Sequence, residues 1–168
     1  DGTNDAVRVN APELRCKVVG EGGNLGFTQL ARIEFNRSGG RINTDAIDNS
    51  AGVDLSDHEV NFKILFAGLL RSNKLTLEAR NQILKEMADE ACELVVNDNK
   101  NQCLLLTMSS TRSPRNMEYT KSLIRELART GFVNRTLECL PDDEEIGRRA
   151  NRKLGLTRPE LAVLCSAV

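Results

Sequence analysis

Two short segments rich in glycine and asparagine hold the residues of this chain that are best suited to ligand chemistry. The first is VVGEGGNLG at 18–26, and the second is IDNSAGVDLS at 47–56. Glycines let the backbone approach a ligand closely, and an asparagine amide both donates and accepts hydrogen bonds. The candidate ligand-binding residues are therefore Gly22, Gly23, Asn24 and Asn49, with Ser56 as a candidate anion-binding hydroxyl at a predicted helix start.

The spacing of the glycines does not by itself identify a ligand. Leu25 stands where a G-x-G-x-x-G fingerprint requires its third glycine, and no Gly-Lys-Ser/Thr follows as in a P-loop. A tight strand-to-helix turn with positive φ explains the first segment equally well. Ser56 with Glu59 forms a capping-box pattern that also has a purely structural explanation. His58, the single histidine, fits a structural or surface role better than a catalytic one.

The elements around these segments predict a βαβ unit. Short β-favouring runs at 16–19 and 41–47 predict two strands, with a helix between them that Thr28 caps. Leu30 falls on the apolar side of that helix and Arg32 falls off it. A strand, glycine-rich turn, helix and strand in this order imply a parallel sheet, and such sheets bind ligands at the carboxyl ends of their strands.

The remainder of the chain predicts helices. Thr76 caps a long helix that reaches about Val96, and the Asn-Asp-Asn run at 97–99 is expected to interrupt it. Thr157, with Glu160 three residues later, is a capping box that opens the last helix. The predicted fold is therefore an α/β remnant of a Rossmann-like domain over 1–58, followed by an all-helical region over 59–168, with helix dominant.

Composition excludes several function classes. The chain has 23 basic and 24 acidic residues and only 4% aromatic residues, which argues against binding to nucleic acid or acidic membranes. No run of about 18 apolar residues is present, so no membrane span is expected. Five widely spaced cysteines predict free thiols in a reducing cytoplasm, with no disulfide framework and no metal site. The N-terminus lacks an initiator Met, which suggests an excised fragment.

Three stretches together resemble the large bacterial NAD-dependent glutamate dehydrogenases. They are KVVGEGGNLGFTQ at 17–29, GGRINTDAIDNSAGVDLSDHEVN at 39–61 and LGLTRPELAVL at 154–164. The first two are also similar to the nicotinamide-flanking Gly-Ala-Asn-Gly-Pro and Asn-Ala-Gly-Gly-Val turns of the compact glutamate dehydrogenases. Leu25 and Gly26 depart from the first pattern, and Ala51 departs from the second.

This resemblance implies a function for each candidate residue. Gly22, Gly23, Asn24 and Asn49 would bind NAD, and Ser56 would bind a carboxylate of L-glutamate. The reaction would be oxidative deamination to 2-oxoglutarate and ammonia with hydride transfer to NAD. The resemblance assigns the catalytic Lys and Asp to a substrate domain upstream, so no catalytic residue is expected here. The fragment alone is expected to be inactive, and the full-length enzyme is expected to be a homo-oligomer.

Two alternatives remain open from the sequence. One is a non-catalytic helical module that binds partner proteins through 60–168. The other is a different NAD-dependent amino-acid dehydrogenase, because the residues that would select the substrate side chain lie mostly elsewhere. A two-strand remnant of a sheet also leaves an open edge. We expect this edge to be relieved by pairing with a second copy or by disorder within 1–58.

Overall fold

The structure, a computed structural model, describes residues 2–168 and is dominated by helices. Three 3-10 turns, at Gly2–Val7, Ala11–Glu13 and Ser113–Arg115, accompany the α-helices. Seven α-helices lie within the described residues: α1 Gln29–Arg37, α2 Asp45–Asp48, α3 Ser50–Arg71, α4 Leu77–Arg112, α5 Met117–Thr130, α6 Asp143–Asn151 and α7 Arg158–Ser166. No helix among residues 2–168 is both long enough and apolar enough to cross a membrane.

The two predicted strands are wrong as strands, because residues 2–168 contain no sheet. Their pairing survives as one isolated parallel bridge between Val18 and Arg41. Val19 N–H donates to Arg41 C=O at 2.9 Å, and Arg41 N–H donates to Lys17 C=O at 2.9 Å. The second run cannot extend further, because Thr44 already caps α2. A parallel pair without neighbours on either side has too few ladder bonds to form longer strands.

Several helix boundaries follow the capping signals in the sequence. The Thr28 and Thr76 hydroxyls each accept the backbone N–H three residues later, at 3.2 Å, and start α1 and α4. Thr157 and Glu160 form the predicted capping box at α7. Gly131 ends α5 in the left-handed conformation, with φ +81°. The caps at Thr28, Thr76 and Thr157 confirm the predictions made for these residues, and all of these contacts join near neighbours in the chain.

Two predicted helix boundaries are wrong. Ser56 is not an N-cap, because α3 begins at Ser50 and continues through it. The Asn-Asp-Asn run at 97–99 lies inside α4. There the Asn99 side chain donates to Ile47 C=O at 3.1 Å and to Ser50 Oγ at 2.8 Å. These long-range bonds engage an amide that would otherwise compete with the helix backbone. The division of the chain at residue 58 remains a prediction, and that residue lies inside α3.

Two hydrophobic cores anchor the segments that lead into the candidate turns. The larger core lies among α4 to α7, includes the fully buried Ile124 and Ile146, and takes in Ile47 from α2. The smaller core contains Phe35 of α1 and Ile42. Ile42 and Ile47 are both buried, so the chain between them is fixed at both ends. The position at which the second turn begins, directly after Ile47, is therefore fixed as well.

An ion-pair cluster joins α1 to α6 and α7. Glu160 is 1% exposed and accepts two bonds from Arg149, at 2.8 and 3.0 Å. Glu145 accepts from Arg149 at 2.9 Å and from Arg37 at 3.1 Å. The hydrogen bond from Arg149, assisted by Arg148 and by the charges of Arg149 and Arg37, lowers the pKa of Glu145 to about 2. Glu145 is therefore ionised at neutral pH and can pair both with Arg37 of α1 and with Arg149 of its own helix.

The contact between Gly40 and the small core generates a first prediction. A Cβ built on Gly40 would lie 2.2 Å from the ring of Phe35, which is itself buried. Gly40→Ala should therefore lower the free energy of unfolding by about 1–3 kcal/mol. Urea denaturation followed by circular dichroism measures this change.

Gly68→Ala is the matched control for this substitution. Gly68 lies inside α3, where an added Cβ meets no atom within 4 Å. Because alanine is the better helix former, this variant should gain about 0.5–1 kcal/mol. Equal effects of the two substitutions would contradict the packing of Phe35 against Gly40.

Candidate functional site

The two glycine- and asparagine-rich segments are hydrogen-bonded to one another. Glu21 N–H donates to Asp48 Oδ2 at 2.9 Å. A Cβ on Gly22 would lie 3.3 Å from the carbonyl oxygen of Asp48, which is closer than ordinary van der Waals contact. A side chain at residue 22 would therefore push the two turns apart. The need for glycine at this position arises from the neighbouring turn of the chain.

A buried arginine holds the first turn against α1 and against the chain just before the second turn. Arg32 is 1% exposed, and its guanidinium donates to Glu21 Oε2 and to Asn43 C=O, both at 2.8 Å. It also lies 5.5 Å from the centre of the Phe27 ring. Glu21 Oε2 additionally accepts Gly26 N–H at 3.3 Å, so one carboxylate spans the glycine-rich turn. The prediction that Arg32 lies off the buried side of α1 is wrong, and Leu30 is instead 65% exposed.

The left-handed conformations in the first turn belong to residues other than glycine. Asn24 has φ +63° and Leu25 has φ +61°. Asparagine tolerates this region because its short side chain is polar, whereas leucine is uncommon there. Asn24 is exposed, and its side chain makes no hydrogen bond to the part of the chain that the structure describes. Its amide is therefore available to a ligand.

Asn49 and Ser56 lie on α3 and at its start. Asn49 ends α2 and directly precedes α3, and Ser56 is exposed seven residues later. Seven residues are close to two helical turns, so both side chains occupy one face and lie about 10 Å apart along the axis. Val53 and Val60 on the same face are also exposed. That face thus presents two polar groups between apolar side chains.

Two clefts open beside the candidate residues. One of about 420 Å³ is lined by Leu25, which follows Asn24, together with Arg32 and Thr44. Another of about 650 Å³ is lined by Ser50, which follows Asn49, and by residues of α4. Clefts of this size accommodate ligands. The convergence of Asn24, Asn49 and Ser56 on one ligand remains a prediction.

His58 has structural partners within its own helix. His58 Nε2 lies 3.7 Å from Asp54 Oδ1, and its ring stacks on Phe62 one turn further along α3. Within the described residues, no group of three or more His, Cys, Asp or Glu side chains could hold a metal ion. All five cysteines are free thiols.

The sequence alone did not identify the polar groups that connect the two turns, which are Glu21, Arg32, Asn43 and Asp48. Asn43 Nδ2 donates to Asp48 Oδ1 at 2.9 Å and completes the connection. One signal was present in the sequence, because Glu21 is the single acid inside a segment otherwise composed of small, amide and apolar residues. Nothing local indicated that Arg32, eleven residues later, pairs with Glu21.

The chain is mainly helical, and its two glycine- and asparagine-rich turns are hydrogen-bonded to each other, so that they form one surface feature, here called the ridge. Residues 1–109 match the family model described as "Bacterial NAD-glutamate dehydrogenase, catalytic domain". The chain therefore belongs to the bacterial NAD-glutamate dehydrogenase family. Both turns and the whole of α3 lie within the matched residues.

Named relatives extend the similarity to the rest of the chain. The NAD-specific glutamate dehydrogenase of Mycobacterium tuberculosis is 50% identical over 168 residues, which is 100% of this chain. Those of Pseudomonas aeruginosa and Halomonas elongata are 48% and 47% identical over 166 residues, or 99% of this chain. The chain spans about 10% of the length of each relative.

The burial of Arg32 generates a prediction for stability. Arg32→Met removes the cation and leaves the Glu21 carboxylate without its partner, which should lower the free energy of unfolding by about 3 kcal/mol. Adding Glu21→Gln to this variant should recover part of the loss, because no unpaired charge then remains. Urea denaturation at neutral pH measures both effects.

Arg37→Met provides the matched control on the same helix. The Arg37 side chain is 52% exposed, and its ion pair with Glu145 is a surface contact. Its loss should cost less than about 1 kcal/mol. A similar cost for the two arginine substitutions would be inconsistent with a buried, coupled ion pair at Arg32.

Proposed function

We propose that this chain forms part of an NAD-dependent glutamate dehydrogenase. The full-length enzyme would oxidise L-glutamate to 2-oxoglutarate and ammonia and transfer hydride to NAD. The observation that carries the proposal is the match of residues 1–109 to the family's catalytic domain. The hydrogen-bonded ridge formed by the two turns lies entirely within this match, and the relatives' names state both cofactor and substrate.

The proposed cofactor contacts are Gly22, Gly23, Asn24 and Asn49. Gly22 and Gly23 are exposed and carry no side chain to block a ligand, and the Asn24 amide is open to solvent. Two amides and an uncovered stretch of backbone suit the carboxamide and ribose hydroxyls of a nicotinamide nucleotide. NAD supplies the hydride acceptor, and these residues orient it.

The proposed substrate contact is Ser56. Its hydroxyl is exposed on the face of α3 that also carries Asn49, about two turns away. A hydroxyl can donate to a glutamate carboxylate, and Val53 and Val60 beside it supply apolar surface for the substrate's methylene groups. Because these valines are exposed, the face fits one wall of a cleft that another part of the full-length enzyme closes. We therefore propose that the catalytic lysine and aspartate lie on that other part.

The parallel bridge between Val18 and Arg41 supports a further part of the proposal. A parallel pairing of two runs that a helix connects is the arrangement of a βαβ unit, from which Rossmann-like domains are built. We propose that the rest of the sheet is supplied outside residues 1–58 and that the helices from 59 onward belong to a second region. Homo-oligomerisation and a cytoplasmic location are also proposed, and the five free thiols favour a reducing compartment.

The alternative of a helical interaction module has one supporting feature. Ile64, Leu65 and Leu77 on the α3–α4 hairpin are more than half exposed. Such a surface suits contact with another protein or with another part of the enzyme. It can coexist with catalysis and does not account for the coupling of the two turns. Specificity for another amino acid is a separate alternative, which the following assay addresses.

A kinetic assay of the full-length enzyme tests the proposal. NAD reduction is measured with glutamate, leucine and phenylalanine as substrates, and glutamate should be strongly preferred. Asn49→Ala should raise the KM for NAD, and Ser56→Ala should raise the KM for glutamate, each by about tenfold, because each removes a hydrogen bond to a polar or charged ligand group. The 168-residue chain alone should show no NAD reduction.

The controls are Asn81→Ala and Ser122→Ala, which change exposed residues on α4 and α5. Both should leave the two KM values unchanged. If Ser56→Ala does not alter the KM for glutamate, the substrate role of Ser56 is wrong. If the full-length enzyme prefers leucine or phenylalanine, the assigned substrate is wrong.

A further inference from the structure

The distal motif at 154–164 reaches the two turns through an unbroken series of hydrogen bonds. Arg158 Nε donates to Asn43 Oδ1 at 2.9 Å. Asn43 Nδ2 donates to Asp48 Oδ1 at 2.9 Å, and Asp48 Oδ2 accepts Glu21 N–H at 2.9 Å. Residues more than one hundred positions apart in the sequence are thereby connected to the backbone of the glycine-rich turn.

Arg158 is a fixed anchor for this series. Its Nη1 donates to Thr107 Oγ1 at 2.9 Å, and its backbone N–H donates to Asn36 Oδ1 at 3.0 Å. It is the first residue of α7, and the capping residues Thr157 and Glu160 around it are buried. An arginine bound to α1, α4 and its own helix start cannot rotate freely, so the position of Asn43 is determined from outside the two turns.

Each of the two polar side-chain atoms of Asn43 and of Asp48 takes part in a hydrogen bond. The Asn43 amide accepts with its oxygen and donates with its nitrogen, and the Asp48 carboxylate accepts one bond on each oxygen. Asp48 adjoins Asn49, and Glu21 is three residues before Asn24. The distance between the two candidate cofactor asparagines therefore depends on the Asp48 carboxylate.

We propose that Asn43 and Asp48 are positioning residues for the nicotinamide cofactor. Anchored by Arg158, they set the separation of the two turns so that Asn24 and Asn49 face the same nucleotide. This inference rests on the proposed function. It also assigns a task to the distal motif, which supports the cofactor site without contacting the cofactor.

An exchange of two side chains tests this proposal in the full-length enzyme. In Asp48→Asn, the new NH2 group must face either Glu21 N–H or Asn43 Nδ2. Both of these groups are donors, so one hydrogen bond is lost although the side chain keeps its size. In Asn43→Asp, two carboxylates face each other. The double variant Asn43→Asp/Asp48→Asn restores all three bonds, because the new amide donates to the new carboxylate and the carboxylate accepts from Arg158.

The dissociation constant for NAD, measured by calorimetry, is the main readout. Each single variant should raise it by about tenfold or more, because small displacements of binding groups have large effects. The double variant should return to within about threefold of the wild-type value. The melting temperature and the KM for glutamate should change little in Asp48→Asn and in the double variant. Asp89→Asn, at an exposed position of α4, is the matched control and should have no effect.

The measurements distinguish failure of the proposed function from failure of the positioning role. If the wild-type enzyme does not bind NAD, the proposed function is wrong. If the wild type binds NAD but Asp48→Asn leaves the dissociation constant unchanged, only the positioning role is overturned. It is also overturned if the double variant is as defective as the single variants. A parallel loss of NAD affinity, glutamate KM and melting temperature would indicate a general structural role and would contradict the proposal.

Discussion

The burial of one guanidinium group is the constraint on which the rest of this structure depends. Arg32 is removed from water and therefore needs acceptors, which it finds in the Glu21 carboxylate and the Asn43 carbonyl. The hydrogen bonds from the Arg32 guanidinium hold the glycine-rich turn against α1 and hold Asn43 in place beside Asp48. The two turns are then hydrogen-bonded to each other, and Arg158 extends the same network to α7. Coupling between these turns follows from the need to pair a buried charge.

Helix starts and stops could be predicted from the sequence because capping is local. Thr28, Thr76 and Thr157 each bond a group three residues away, so their partners are visible in the sequence. The two predicted strands are wrong because a parallel ladder depends on neighbours distant in the chain, and among the described residues only the Val18–Arg41 bridge forms. The continuity of α4 at Asn99 depends on long-range bonds to α2 and α3 in the same way.

The candidate site was predictable in part. The glycine and asparagine motifs, together with their resemblance to a known family, identified the segments that the family model matches. They did not reveal that Asp48 joins the segments, because its partners Glu21 and Asn43 lie on separate loops. The helical pattern predicts Arg32 on the solvent side of α1, because charged side chains are usually exposed. A buried ion pair violates that rule, and only the tertiary structure reveals its partner.

In the proposed function, the two turns together present one binding surface to one nicotinamide nucleotide. The most direct measurement is an experimental structure of the full-length enzyme with NAD bound. We expect the Asn24 and Asn49 side chains to lie within hydrogen-bonding distance of the nicotinamide or its ribose, with the Glu21–Asp48 bond intact. Ordered NAD bound away from either turn, or a structure in which Glu21 and Asp48 are separated, would contradict it.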